Sequence, residues 1–278
     1  MSAIPVSLVK DLRDATNVSM MECRKALEAA GGDKEKALRL LRERGLVLAG
    51  KKSGRAVKSG LIAAEVFDQG QVGAMIEVNC ETDFVARNEN FGRFVRALLE
   101  RARKEEGDLA SRVQEEVAAK IAEIGENIVL RRHVRLVLQG PGAIGSYVHL
   151  GGKIGVLVEL GCEKKDAPAR PAFQDLLRDL TLHIAACAPA ALDRTCLPVE
   201  VIEREREIYA KQATGKPAPV LEKIVAGKLE KFYRQACLLE QGFVKDPDQS
   251  VSALLQKIGE ELGDTLVIRR YVRYQLGD

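Results

Sequence analysis

The side chains in this sequence that could do chemistry are first its cysteines and histidines. The six cysteines include no C-x-x-C pair, so the sequence predicts neither a zinc site nor a redox-active dithiol. They are interpreted as small buried residues in a reducing compartment. His133, His149 and His183 are far apart in sequence and indicate no metal site. The sequence therefore predicts no catalytic residues and no metal ligands.

The sequence also contains no convincing nucleotide-binding motif and no convincing pair of acid–base residues. GPGAIG (140–145) fits G-x-G-x-x-G, but that fingerprint needs a helix after its last glycine, and the following SYVHLGGKIGVLVEL has a β-hairpin pattern. No G-x-x-x-x-G-K-[ST] motif is present. Glu77 and Glu159 are predicted to point to solvent from a strand rather than to form a catalytic pair. We expect no enzyme activity, no cofactor and no direct nucleotide binding.

The segment CETDFVARN (80–88) indicates a binding site instead. An alternating strand precedes it and an amphipathic helix follows, yet the junction holds Thr82, Asp83, Phe84 and Val85 where Gly, Asn, Asp or Ser is usual. The ring of Phe84 could pack locally, as a staple before a helix that starts near Asn88. Alternatively, the turn presents it to a pocket in another protein.

An internal repeat bears on that choice. Residues 60–98 align with a second copy at an offset of 82, and GENIVLRRHVR (125–135) aligns with GDTLVIRRYVR (263–273) at an offset of 138. The second copy therefore carries 56 additional residues. In the first alignment TDF (82–84) faces KKD (164–166). Since the surrounding scaffold is preserved without the aromatic residue, the fold does not require Phe84.

The first 48 residues are predicted to form a compact three-helix unit. Ser19 can cap the second helix, and Asp33 can cap a third helix that stops at Gly45. The second helix has apolar residues at steps of three and four, which we predict to be buried: Met20, Cys23, Ala26 and Leu27. Met21 falls on the polar face of this helix, where it is either idle or a contact for another protein.

Residues 49–59 are rich in glycine and basic residues. We interpret them as a mobile linker. The alternative is a basic patch that binds RNA phosphates, although no aromatic residues are interleaved with the charges.

The repeat predicts two core modules, 60–139 and 140–278, and hence an α+β fold. Each module has a small antiparallel sheet and helices, with Cys80 and Cys162 in matching core positions. The second module carries an inserted helical hairpin near 199–240, joined at Thr214–Pro219. Whether this hairpin projects or lies flat on the module is left open, because its apolar seam looks the same either way.

The overall composition limits the kinds of partner and cellular location that we expect for this protein. A net charge of +3 with 46% hydrophobic residues does not require a nucleic-acid partner, and none is expected. No apolar run reaches the roughly 18 residues of a membrane helix, and the N-terminus does not resemble a secretory signal. We expect a cytoplasmic protein without membrane contact.

Several segments together resemble the family of elongation factor Ts, the nucleotide-exchange factor for the GTPase elongation factor Tu. EVNCETDFVARNENF resembles the family signature, SYVHLGGKIGVLVEL and GENIVLRR also fit, and VKDLRDATNVSMMECRKALEAAGG resembles its N-terminal ubiquitin-associated (UBA)-like domain. The resemblance extends over nearly the whole chain.

The resemblance implies a mechanism. In the family, the TDFV loop is inserted beside the nucleotide site of elongation factor Tu and disturbs the region that holds Mg²⁺. Thr82, Asp83, Phe84 and Val85 would form this loop here. The factor promotes release of GDP so that GTP can bind, and no covalent bond changes.

The resemblance also implies secondary contacts with elongation factor Tu, which would involve Met20, Met21 and His149. A homodimer within a 2:2 complex is left open. The chain stops soon after its last predicted strand, so we expect it to lack the C-terminal extension of some members. The alternative function is a ribosome- or RNA-associated binding module that uses the basic linker and the helical hairpin.

Overall fold

A computed structural model describes residues 4–16, 18–213, 215 and 217–278. Residues 1–3 and Asn17 of the predicted N-terminal unit, and Thr214 and Lys216 of the predicted hairpin connection, lie outside the described residues. The first half of the chain contains α1 (Val6–Thr16), α2 (Met20–Ala29), α3 (Lys34–Lys52), β1 (Ser59–Phe67), β2 (Val72–Cys80), α4 (Asp83–Ala86), α5 (Glu89–Lys104), α6 (Leu109–Arg112), α7 (Gln114–Ile124) and β3 (Ile128–Val137). The second half contains β4 (Gly142–His149), β5 (Ile154–Gly161), α8 (Pro171–Cys187), α9 (Val199–Gln212), α10 (Ala218–Ala236), β6 (Gly242–Phe243), β7 (Asp246–Ser250), α11 (Val251–Leu262) and β8 (Val267–Gln275).

The three N-terminal helices pack around a small apolar core, as predicted. The Ser19 hydroxyl accepts a hydrogen bond from the Glu22 amide, and Asp33 caps α3 in the same way. The prediction that Met20 is buried is wrong, because its side chain is 40% exposed. Met20 is the first residue of α2, so no preceding turn of the helix covers it. Cys23, Ala26 and Leu27 are buried.

Helix α3 continues past Gly45 to Lys52, so the predicted stop at Gly45 is wrong. A Cβ atom on Gly45 would lie 3.4 Å from the Ala118 carbonyl oxygen, so α3 and α7 are in van der Waals contact at this residue. Packing against α7 therefore outweighs the low helix propensity of glycine. The first residues of the predicted linker are consequently helical, and the Lys52 ammonium donates a hydrogen bond to the Gly125 carbonyl.

The two core modules have the same topology, which confirms the repeat. The sheets are antiparallel with strand orders β1-β2-β3 and β4-β5-β8. Both contain a register shift at the same place, between Glu77 and Val78 and between Glu159 and Leu160. Helix α5 covers one face of the first sheet and α8 covers one face of the second. Cys80 and Cys162 are buried in the two matching cores, as predicted.

The remaining faces of the two sheets pack against each other. Equivalent residues from both modules form this interface: Ile62, Met75 and Leu136 from the first, and Ile144, Leu157 and Tyr274 from the second. The resulting order is helix, sheet, sheet, helix. All nine residues of β2 are buried for this reason.

Glu77 and Glu159 are completely buried, so the prediction that they point to solvent is wrong. A half-solvated sheet would expose alternate residues, whereas here the sheet of the other module covers each of them. Each carboxylate accepts a hydrogen bond at 2.7 Å from a guanidinium Nε, Glu77 from Arg132 and Glu159 from Arg270. These ion pairs compensate the loss of hydration of the buried charges.

The sheet interface leaves no room at Gly155, which predicts the effect of a small substitution. A Cβ atom there would lie 2.4 Å from Ile62 Cγ2 and 2.7 Å from Met75 Sδ. We expect Gly155→Ala to lower the free energy of unfolding by about 1–3 kcal/mol through overpacking, measured by urea denaturation. The control is Gly227→Ala in α10, where an added Cβ atom would meet no described residue within 4 Å beyond its own turn of helix, and a gain of about 0.5–1 kcal/mol is expected. Equal effects of both substitutions would contradict this account of the interface.

The helical hairpin of α9 and α10 stands away from the second module except at its base. Val225 and Leu229 of α10 are buried, whereas within the described hairpin no residue of α9 is buried. A helix lying flat on the module would bury a stripe along its length. At the base, Arg194 forms ion pairs with Glu230 and Glu240.

Among the described residues, no helix is both long and apolar enough to span a membrane.

Candidate functional site

The TDFV turn lies at the end of the buried strand β2. Thr82 has an extended backbone, and its hydroxyl accepts a hydrogen bond from the Val85 amide at 3.3 Å. It thereby caps the single helical turn α4. Asn88 then caps α5, which confirms the predicted helix start. A short helical turn thus lies between a buried strand and a long helix.

Asp83 and Phe84 project from this turn into solvent. The Phe84 side chain is 83% exposed, and Asp83 makes an exposed ion pair with Arg87 at 3.1 Å. Val85 packs partly against the core of the first module, and Ala86 is buried. Burying a phenylalanine side chain would contribute about 1.5–3 kcal/mol to folding, and this turn forgoes that contribution. The alternative that Phe84 is a local staple is therefore excluded.

The base of the turn is held by residues that precede β3. The Glu126 carboxylate accepts hydrogen bonds from the Thr82 amide at 3.0 Å and from the Thr82 hydroxyl at 2.6 Å. The neighbouring Glu81 accepts one from the Asn127 amide at 2.6 Å, which holds the pKa of Glu81 below its usual range. Hydrogen bonds therefore hold the base of the turn, whereas Asp83 and Phe84 at its tip are exposed.

The second module contains the same scaffold around a different turn. The Asp264 carboxylate accepts hydrogen bonds from the amides of Glu163 and Lys164 at 3.0 and 3.1 Å. The thiols of Cys80 and Cys162 each donate to the carbonyl two residues later at 3.2 Å. Residues 164–166 are all exposed, and none is aromatic. The aromatic tip is thus specific to the first module.

Cys80 is buried directly below the turn, where its thiolate form is disfavoured. Burial, with a smaller effect of the Glu126 charge, raises the pKa of its thiol to about 12. Burial also raises the pKa of the Cys162 thiol. Since the thiolate is the reactive form of cysteine, both residues act as packing.

The secondary candidates lie on separate units. Met20 and Met21 are at the start of α2, with Met21 66% exposed. His149 is exposed at the end of β4, and its Nδ1 atom lies 2.7 Å from the Tyr147 hydroxyl, with the two rings stacked. The TDFV turn belongs to the first module, so any common partner must contact all three units.

The histidines have separate hydrogen bonds within the described chain. His133 Nε2 lies 2.8 Å from the Gly107 carbonyl oxygen, and buried His183 pairs with the Gln241 side chain at 3.0 Å. Among the described residues, no cluster of His, Cys, Asp or Glu could hold a metal ion. The arrangement is suited to binding another protein through the exposed ring of Phe84 and the carboxylate of Asp83.

The sequence analysis missed Glu81, Glu126 and Asn127. A signal was present, because Glu126 aligns with Asp264 at the offset of 138, and both are acidic residues just after a helix-ending glycine. An acidic residue in both copies indicates a function in the shared scaffold. Its partner Thr82 is 44 positions away, which periodicity cannot reveal.

Comparisons with known proteins agree with this arrangement. A family model described as Elongation factor TS matches residues 81–278. Elongation factor Ts of Trichlorobacter lovleyi is 42% identical over 291 residues, which cover 99% of this chain and 93% of that protein. Elongation factor Ts of Nitratiruptor sp. is 41% identical, with 99% and 94% covered. That of Prosthecochloris aestuarii is 41% identical, with both chains covered completely.

The family model spans more than half of the chain, and these relatives align over nearly their whole lengths. The chain therefore belongs to the elongation factor Ts family, as its motifs indicated.

Proposed function

We propose that this protein is a guanine-nucleotide exchange factor of translation elongation. It binds elongation factor Tu in the GDP-bound form, promotes GDP release and so allows GTP to bind. The observation that carries the proposal is the TDFV turn, where an 83% exposed Phe84 stands beside Asp83 on a hydrogen-bonded base. Exposed aromatic residues on ordered elements are typical anchors of protein–protein interfaces.

In the proposed mechanism the turn acts as a wedge. Mg²⁺ bridges phosphate oxygens and protein ligands, and it requires nearly octahedral geometry at about 2.0–2.1 Å. Inserting Phe84 and Asp83 beside the nucleotide site displaces groups that hold the ion, so GDP binds less tightly. Thr82 and Val85 support the turn, while Met20, Met21 and His149 contribute secondary contacts. No covalent bond is made or broken, so the protein is not an enzyme in the usual sense.

We place this activity in the cytoplasm, where elongation takes place. All six cysteines are free thiols, as is usual in a reducing compartment. The RNA-associated alternative has less support, because two of the four basic residues of the linker already contact protein groups. Lys52 donates to the Gly125 carbonyl, and Arg55 lies 3.5 Å from the Glu81 carboxylate.

A capture experiment tests the proposed function. Coupling between the factor and GDP is reciprocal, so a factor that weakens GDP binding must itself bind less tightly when GDP is present. We expect the immobilised protein to retain elongation factor Tu from a lysate of its source, and added GDP with Mg²⁺ to elute it. Mass spectrometry identifies the retained protein. Retention of RNA-binding proteins alone, or retention that GDP leaves unchanged, would argue against an exchange factor.

A further inference from the structure

We infer that Glu126 is a positioning residue, which sets the orientation of the Asp83–Phe84 tip before the partner is bound. The inference rests on the proposed function, because it concerns the same turn. Glu126 itself is half-buried below the tip and acts through Thr82.

The hydrogen bonds form a relay from Glu126 into α4. One carboxylate oxygen accepts the Thr82 amide, and the other accepts the Thr82 hydroxyl proton. A hydroxyl group has one proton and two lone pairs. Since its proton points to Glu126, a lone pair is free to accept the Val85 amide at 3.3 Å. The charge on Glu126 strengthens the first two bonds, so a single carboxylate fixes both the entry to the helical turn and its cap.

Glu126 is in turn held by the elements on either side. Helix α7 ends at Ile124 and is capped by Gly125, whose φ of 86° is left-handed and whose amide donates to the Ile121 carbonyl at 2.8 Å. This left-handed residue reverses the chain and places Glu126 under the turn. The next residue, Asn127, is buried and donates through its side chain to the Arg55 carbonyl at 2.9 Å.

Comparison with the second module distinguishes a residue that positions the tip from one that only stabilises the turn. Asp264 accepts the backbone amides of Glu163, Lys164 and Thr265, but Lys164 occupies the place of Thr82 and has no hydroxyl group to relay the contact. Both carboxylates therefore stabilise their turns, and only Glu126 also fixes a helix cap. Asp264 is thus a matched control for the contribution to stability.

The tip depends on this support because Phe84 has little packing of its own. A turn that moved freely would lose conformational entropy on binding, which weakens the complex or slows its formation. Holding Phe84 in place beforehand avoids that cost and keeps the ring aligned with the site it must enter. Misplacement by about 1 Å can reduce the rate of a positioned reaction by about 100-fold.

Backbone dynamics of the protein alone provide the first test. We expect ¹⁵N relaxation to give order parameters of about 0.85 for residues 83–85 in the unsubstituted protein, and below about 0.6 after Glu126→Ala. Asp264→Ala should leave these residues rigid and loosen residues 163–166 instead. Glu126→Gln can still accept the Thr82 amide and should retain most of the order. Rigid residues 83–85 in Glu126→Ala would overturn the inference, whatever partner the protein has.

Nucleotide exchange provides the second test. We expect Glu126→Ala to reduce the maximal rate of GDP release from elongation factor Tu by about tenfold, with Glu126→Gln near the unsubstituted rate and Asp264→Ala unchanged. Equal slowing by Glu126→Ala and Asp264→Ala would overturn positioning in favour of general destabilisation. If Glu126→Ala does not fold, Thr82→Val removes the hydroxyl relay at constant size and must give the same result.

The two tests distinguish failure of the inference from failure of the proposed function. Should Phe84→Ala leave exchange unaffected, the exchange role of the turn is wrong, and the order parameters still decide whether Glu126 positions it. Should Phe84→Ala slow exchange while Glu126→Ala does not, only the positioning role is wrong.

Discussion

Phe84→Ala is expected to slow GDP release from elongation factor Tu, in the presence of this protein, by about tenfold or more, which corresponds to about 1.4 kcal/mol. The ring is 83% exposed, and the second module builds the same turn without an aromatic residue. Removing the ring should therefore leave the stability of the fold almost unchanged. The turn, in contrast, loses the bulk with which it acts as a wedge. Any effect on exchange then reports on contact with the partner.

Stopped-flow fluorescence with a labelled GDP analogue measures this rate. The matched control is Lys165→Ala, an exposed residue at the tip of the equivalent turn in the second module. The control should exchange nucleotide at the unsubstituted rate, and both variants should unfold at the unsubstituted temperature. Unchanged release with Phe84→Ala, or equal slowing in the control, would refute the wedge.

Glu77→Ala is expected to lower the free energy of unfolding by about 3 kcal/mol, the lower end of the range for breaking a buried ion pair. Glu77 is fully buried and accepts hydrogen bonds from Arg132 Nε at 2.7 Å and the Asn79 side chain at 3.1 Å. Removing it leaves the Arg132 guanidinium without its carboxylate. The lower end applies because Arg132 is 30% exposed and can recover part of its hydration.

Urea denaturation followed by circular dichroism measures the loss. Glu159→Ala should cost a similar amount, because Glu159 has the equivalent contacts with Arg270 and Arg269. As a surface control, Asp175→Ala breaks an exposed pair with Arg178 and should change stability by less than about 1 kcal/mol. A loss no larger for Glu77→Ala than for Asp175→Ala would contradict the assignment of Glu77 to the interface.

These carboxylates matter beyond stability because they join the two modules. Arg132 also donates to the Gln275 carbonyl of the second module at 2.8 Å, and Arg270 donates to the Val137 carbonyl of the first at 2.6 Å. The contacts cross the interface in both directions and are related by the repeat. The TDFV turn and the β-hairpin of β4 and β5, which carries His149, are consequently held in fixed positions relative to each other. A partner that contacts both would require this.

Local patterns in the sequence were sufficient for the elements and for the repeat. Apolar residues at steps of three and four predicted the N-terminal helices, and Ser19 and Asp33 marked the starts of the second and third of them. Period-two alternation predicted the strands. The repeat provided an internal comparison, from which it followed that the fold does not need Phe84. Whether that ring packs locally or is exposed stayed open, because both arrangements fit the same local sequence.

Only the tertiary structure decided what covers each element. It placed Glu77 inside the protein, because the second sheet packs on a face that period-two alternation assigns to solvent. It also continued α3 through Gly45, because α7 packs there, and it brought Glu126 under Thr82. In each case the deciding contact joins residues more than 40 positions apart. Propensity and periodicity describe a chain segment and the turns next to it. Burial and charge pairing instead depend on which parts of the chain, distant in sequence, pack against that segment.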